Sequence, residues 1–156
     1  MIKFKLSKNA IEPTRSDNST GNAGIDIHAN LMDGAWLKHT KNGSESGSGA
    51  IALRRGERVI IPTGVYAEID ESLYLRIADR SGNAAKHGLT VRGGVVDSSY
   101  RGEIKILLVN EDFSNKAIYH GNKIAQMIPT KISNEPIEIV EELDETDRGA
   151  KGGINE

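Results

Sequence analysis

The chain has 156 residues, a mass of 16.9 kDa, and 20 Lys and Arg against 22 Asp and Glu, for a net charge of −2. That is the size of one ordinary domain, and the charge balance argues against a general nucleic-acid binder, which carries a basic excess. Cysteine is absent, which excludes a disulfide scaffold, a thiolate nucleophile and a Cys-ligated zinc site. No window approaches the roughly 18 apolar residues of a membrane span, so a soluble, cytoplasmic protein without membrane contact is expected.

Aromatic residues make up 4% of the chain, so its core must come from Ile, Val, Leu and Ala, while 17 glycines signal turns and close backbone approaches. Period-two alternation predicts strands in chain order. The first covers residues 2–6, and Ile25, Ile27 and Ala29 then alternate with Asp26 and His28 as a half-buried strand. Further strands are expected over 51–53, 58–61, 65–68, 73–78, 104–108, 116–119 and 123–128. Turns separate them at Arg55-Gly56, Pro62-Thr63-Gly64, Arg92-Gly93-Gly94 and His120-Gly121-Asn122. The short helix expected over 83–87 is the only helical candidate. The fold class is therefore all-β, with strands at sandwich or barrel spacing.

Two segments differ from this pattern. Residues 41–50, KNGSESGSGA, have the composition of a flexible, solvated loop. From Glu141 the chain turns acidic and then glycine-containing, with too little apolar content to pack. The expected division is thus a β domain over 1–140, carrying an inserted loop at 36–50, and a mobile tail over 141–156.

Phosphate-loop, zinc-protease and nucleophile-elbow motifs are all absent. The four histidines have no metal-ligand spacing. Arg80-Ser81-Gly82 places a guanidinium, a hydroxyl and a close-approach glycine at a helix start, which suits phosphate; alone, it equally fits a structural arginine paired with a nearby acid. The run from Gly93 to Glu103 reads as a β-hairpin with an exposed backbone edge that could meet a planar base. Taken alone, Asp97 there fits a turn-capping carboxylate, and Tyr100 an ordinary half-buried strand aromatic.

Together these segments resemble the trimeric dUTPase family, whose chains carry five ordered motifs. Ala23-Gly24-Ile25-Asp26-Ile27-His28-Ala29 is similar to the first, Arg80-Ser81-Gly82 to the second, and Gly94-Val95-Val96-Asp97-Ser98-Ser99-Tyr100-Arg101-Gly102 to the third. Gly121-Asn122-Lys123-Ile124-Ala125-Gln126-Met127-Ile128 is similar to the fourth, and Arg148-Gly149-Ala150-Lys151-Gly152 begins the fifth. The resemblance implies a jelly-roll β-barrel, a homotrimer, and three sites at subunit interfaces. One subunit would supply the second and fourth motifs, a neighbour the third, and the remaining chain its tail as a lid. The implied reaction is Mg²⁺-assisted hydrolysis of dUTP to dUMP and pyrophosphate by in-line attack of water on the α-phosphorus, which limits uracil in DNA and supplies dUMP for thymidylate synthesis.

Carried over by position, the resemblance makes Asp97 the residue that holds and activates the water. Tyr100 would pack under the deoxyribose and exclude a 2′-hydroxyl. The backbone from Arg92 through Gly93, Gly94, Val95 and Val96 would read the uracil edge, and Lys105 would line the sugar–base pocket. Arg80, Ser81, Gly82 and Gln126 would meet the phosphates, with Arg148 on the γ-phosphate. Asp26 would stand near metal-bound waters or the interface.

Three departures from the family pattern stand out. Gly153 occupies the place of a base-stacking phenylalanine, and the chain closes on Ile154-Asn155-Glu156. Arg92 replaces a small residue, and the 36–50 segment is longer than usual, a surface embellishment or a site for a protein partner. Two alternatives remain open at this point: a dCTP deaminase of the same superfamily, and a regulatory protein-binding module on a dUTPase scaffold.

Overall fold

The computed structural model describes residues 1–16 and 20–150. One five-stranded antiparallel sheet runs β10 (Leu89–Arg92), β12 (Ile106–Asn110), β7 (Arg58–Ile61), β4 (Trp36–Thr40), β5 (Gly43–Gly47). The second runs β11 (Val95–Asp97), β9 (Leu73–Ala78), β14 (Lys123–Lys131), β3 (Ile25–His28), β2 (Thr14–Arg15). Two short ribbons, β1 (Lys3–Leu6) with β8 (Val65–Glu68) and β6 (Ile51–Leu53) with β13 (Lys116–Ile118), complete a jelly-roll arrangement.

The alternation sets the core. Ile106, Leu108 and Asn110 point inward from β12, Val59 and Ile61 from β7, and Leu75 and Ile77 from β9. They meet Ile27, Ile51, Leu53, Ile118 and Met127 in one cluster of buried aliphatic residues, with Phe4 and Trp36 only at its margin. The fully buried amide of Asn110 is satisfied. Asn110 Nδ2 donates to the carbonyls of Leu53 and Ser114, both at 2.9 Å, while its Oδ1 accepts from the Asp112 N–H.

Four sequence expectations are corrected. The 36–50 stretch is not an irregular loop: β4 and β5 pair in register from Trp36↔Gly47 to Thr40↔Gly43, joined by the two-residue turn Lys41-Asn42. Strand β3 is buried at all four positions rather than on one face, because β2 and β14 flank it and Asp26 and His28 lie under neighbouring side chains. The helix α1 (Ser81–His87) begins two residues early, with Arg80 in extended geometry as its N-cap. The 93–103 segment is not a hairpin with the strand before it. Gly93 and Gly94, at φ 83° and 99°, carry the chain from β10 in one sheet to β11 in the other. The exposed edge survives, since β11 is the outermost strand of its sheet.

Beyond β14, the described residues 132–150 form neither strand nor helix, and Ile137 and Ile139 are each 96% exposed. The departure at Gly153 to Glu156 lies outside the described residues.

The Pro62-Thr63-Gly64 turn joins the fold to the β11 region. A single carboxylate oxygen of Glu103 accepts the N–H groups of Thr63 (3.1 Å) and Gly64 (2.8 Å), and buried Thr63 donates its hydroxyl to the Ile104 carbonyl. Gly64 sits at φ 68°, and a Cβ there would lie 2.2 Å from Ser7 Oγ and 2.7 Å from Asn30 Nδ2. Gly49 has a similar φ of 72° with nothing within 4 Å of a built Cβ. Both alanine variants carry backbone strain of about 1 kcal/mol, but only Gly64→Ala adds a clash. Thermal denaturation should therefore show Gly64→Ala melting well below Gly49→Ala; equal melting temperatures would remove the packing argument.

Candidate active site

Asp97 ends β11 and opens a tight turn in which the Tyr100 N–H donates to the Asp97 carbonyl at 3.1 Å. Arg101 clasps the turn by donating Nη1 to the carbonyls of Ser98 and Tyr100. The Tyr100 ring folds back over Gly102, where a Cβ would lie 2.3 Å from its phenolic oxygen, and the hydroxyl donates to the Glu103 carbonyl at 3.1 Å. Glycine at 102 is thus a steric requirement of the tyrosine two residues earlier. The result is an open hollow of about 260 Å³ lined by Val95, Val96, Asp97, Tyr100, Ile104 and Lys105. Asp97 and Tyr100 remain exposed, and Lys105 Nζ stands 3.8 Å from Glu103. Arg92 turns its guanidinium to Glu111, Thr90 and the Val91 carbonyl.

A second cluster forms where β3, β14 and the end of β9 lie side by side. The register places Asp26 opposite Gln126, and Gln126 opposite Ala78, in one row across the sheet. Asp26, 4% exposed, accepts from Arg80 Nε at 3.0 Å, Lys123 Nζ at 2.8 Å and Ser16 Oγ at 3.2 Å. Burial alone would raise its carboxyl; Lys123 and Arg80 outweigh it and hold the group below the usual carboxylate range. The stabilisation of this cluster is therefore complete at neutral pH and is lost only as acid carries the pH down through the depressed value. The same environment, burial first and the Lys123 charge next, pushes the His28 imidazole below its ordinary value, and its Nδ1 is buried without a partner.

Gln126 donates Nε2 to the Asp79 carbonyl at 2.7 Å. Its side chain lies over Gly24, where a Cβ would come within 1.8 Å of the amide oxygen. Ser81 and Gly82 occupy the first helical turn, whose N–H groups have no intrahelical acceptor, and nothing stands within 4 Å of a Cβ built on Gly82.

The structure thus gathers the expected residues into two groups rather than one. Asp97, Tyr100, Val95, Val96 and Lys105 share one hollow; Asp26, Arg80 and Gln126 share the other cluster, next to Ser81 and Gly82. They lie at opposite ends of β9: Asp97 pairs with Tyr74, whereas the second row falls at Ala78, about 13 Å further along the strand at 3.3 Å per residue. Arg148 lies in the irregular segment after β14. Lys123, Glu103, Gly24 and Gly102 were assigned no role by the sequence reading. Lys123 and Gly24 lie inside motifs it quoted, but only register and distance reveal what they hold. Among the described residues no three His, Asp or Glu side chains converge as a metal cage, and no helix is long and apolar enough to cross a membrane.

Known proteins match this chain along nearly its whole length. A deoxyuridine 5′-triphosphate nucleotidohydrolase of Finegoldia magna is 37% identical over 153 residues, spanning 97% of this chain and 96% of its own. A probable deoxyuridine 5′-triphosphate nucleotidohydrolase of Schizosaccharomyces pombe is 36% identical over 95% of this chain and 91% of its own. Among solved structures, a Staphylococcus bacteriophage 80alpha dUTPase with dUpNHpp superposes with a TM-score of 0.75, at 24% identity over 98% of this chain and 96% of that one. The dUTPase from phage phi11 of S. aureus, whose structure details the coordination of a structural Mg(II) ion, gives 0.74, at 22% identity over 93% and 99%. The dUTPase family pattern matches residues 47–154 as well, and with relatives of this identity along nearly the whole chain, this chain belongs to the dUTPase family.

Proposed function

We propose that the protein hydrolyses dUTP to dUMP and pyrophosphate, at sites assembled from more than one copy of the chain. The observation that carries the shared site is the span of β9. A water held by Asp97 must come within about 3–3.5 Å of the attacked phosphorus, while Arg80 binds oxygens of the same triphosphate. Within one chain these groups sit at opposite ends of a strand. A neighbour's Asp97 meeting this chain's Arg80 removes the conflict, and a homotrimer with three such sites is the assembly the family resemblance implies.

In this reading Asp97 is the general base, exposed at an edge strand and free to accept the proton of the attacking water. Tyr100, its ring fixed over Gly102, forms the floor for the deoxyribose and leaves no room for a 2′-hydroxyl. The unpaired edge of β11 and the Gly93-Gly94 crossing offer main-chain groups to the uracil, with Lys105 at the wall. Arg80 spends Nε on Asp26 and turns its remaining guanidinium N–H groups to phosphate, a geometry suited to paired contacts. Ser81 and Gly82 add first-turn N–H groups and open space, Gln126 adds its amide, and Arg148 meets the terminal phosphate from the tail.

The donor set fits Mg²⁺ bound by triphosphate oxygens and its own waters, the usual habit of this ion. Both Asp26 oxygens already face cations, so any contact with the ion's water shell uses their remaining lone pairs. When bound, the ion neutralises charge on the phosphates. A soluble enzyme of the cytoplasm, acting on free nucleotide, is consistent with this chemistry.

Asp97→Asn preserves shape and hydrogen bonding while removing the base. Its kcat for dUTP should fall by about 10²–10⁴ with nucleotide binding retained; near wild-type turnover would end the assignment. Mixed with Arg80→Ala chains under conditions that exchange subunits, Asp97→Asn chains should regain activity, and mixed oligomers that stay inactive would argue against shared sites. Gly24→Ala should dislodge Gln126 and lower kcat/KM by about tenfold or more, on the scale of a lost hydrogen bond to a charged group. Steady-state kinetics alongside a thermal melt separates this effect from unfolding.

A further inference from the structure

A broad groove lies away from both clusters. It has a volume of about 840 Å³ and lies between the β4–β5 hairpin tip, the β6–β7 turn and the loop after β12. Its floor holds one cation between two carboxylates. Lys38, mostly buried, donates to the Ala52 carbonyl at 2.8 Å and pairs with Glu45 at 2.6 Å and Glu57 at 3.5 Å, while Glu57 also accepts the Arg54 N–H. The rim is different. Lys41, Arg54 and Arg58 are exposed and enter no ion pair among the described residues. Arg55 lays its guanidinium over Phe113, 3.8 Å from the ring centroid, and that ring is 81% exposed. Four cations around one groove are conspicuous in a chain of net charge −2.

We propose that this groove docks an acidic, extended peptide segment of a partner protein. The guanidinium groups of Arg54, Arg55 and Arg58 match carboxylates in paired geometry. Phe113 supplies an apolar wall for a flanking aliphatic side chain, and the Asn42 and Asn115 amides lining the groove can serve a peptide backbone. A long polyanion such as nucleic acid fits less well. The chain is acidic overall, and its 135–147 stretch carries seven carboxylates and no Lys or Arg, so a long polyanion meets a net repulsive field outside the groove. The hairpin gives the site its shape: without β4 and β5 paired as they are, Lys41 and the lining from Lys38 to Glu45 would have no fixed position.

The test uses the full-length protein and a fluorescein-labelled peptide of about ten residues, glutamates flanking one leucine, read by fluorescence anisotropy at about 50 mM salt. Wild type should bind it, more weakly at about 300 mM salt as screening grows, without competing with dUTP in the hydrolysis assay. Arg54→Glu/Arg58→Glu should weaken binding at least about tenfold, since reversing charges at a rim turns attraction into repulsion. The neutral pair Arg54→Gln/Arg58→Gln should fall between, and both variants should keep wild-type dUTP turnover. Lys3→Glu, a charge reversal outside the groove, should bind like wild type. No binding by wild type, equal binding by the charge-reversed protein, or competition with dUTP would each overturn the proposal. So would tighter binding of a single-stranded oligonucleotide of equal charge, which would mark a nucleic-acid surface. Peptide binding only after deletion of residues 135–156 would identify the occupant as the chain's own acidic segment and likewise overturn it.

Discussion

The length of β9 is the constraint on which the catalytic arrangement depends. An antiparallel ladder fixes which residues stand side by side and how far apart successive rows lie. Here it puts Ala78, Gln126 and Asp26 in one row and Tyr74 with Asp97 in another. Four strand residues separate the two rows, so Asp97 and Arg80 stand in separate groups within one chain. In the proposed reading, association of subunits is what brings the two groups onto one triphosphate, and strand geometry is the reason the motifs are divided.

Within the phosphate-side half, the buried carboxylate of Asp26 is the organising charge. Taking a carboxylate out of water is costly unless cations and hydrogen bonds replace the solvent. Arg80, Lys123 and Ser16 do so, and the cost of losing one of them is what keeps all in place. The consequence for the proposed site is that Arg80 is held through Nε, so its outer N–H groups would be oriented before phosphate arrives. A pre-oriented donor contributes more to transition-state stabilisation than one that must be ordered at each turnover.

Much of this was legible in the sequence. Strands over 51–53, 58–61, 65–68 and 73–78 were readable because one face of each meets the core, and alternation reports that directly. The motif residues pointed to the family. The β4–β5 hairpin was not readable, because GSESG has a loop's composition and is held by its pairing with β4, a contact invisible to local pattern. Strand β3 misled in the opposite direction. Asp26 and His28 look like an exposed face; the cations Arg80, just before α1, and Lys123 of β14 let Asp26 be buried, and His28 lies under the same cover. Of the two readings of Arg80, the ion pair with a nearby acid is what the structure shows, and the guanidinium keeps donors enough for the phosphate contact proposed above.

Two glycines show why short motifs in this chain are physically tied to one another. Gly24 is empty space for the Gln126 side chain, 102 residues away in sequence, and Gly102 is empty space for the Tyr100 ring. Neither has the positive φ that demands glycine on backbone grounds, so neither is explained by the turn in which it sits. Each is the negative image of the side chain that packs over it. The first motif therefore cannot change at Gly24 without moving an amide of the fourth, and the third cannot lose Gly102 without lifting its own tyrosine. A motif read as a string of residues conceals this, because half of its content lies in the volume that another motif needs left vacant.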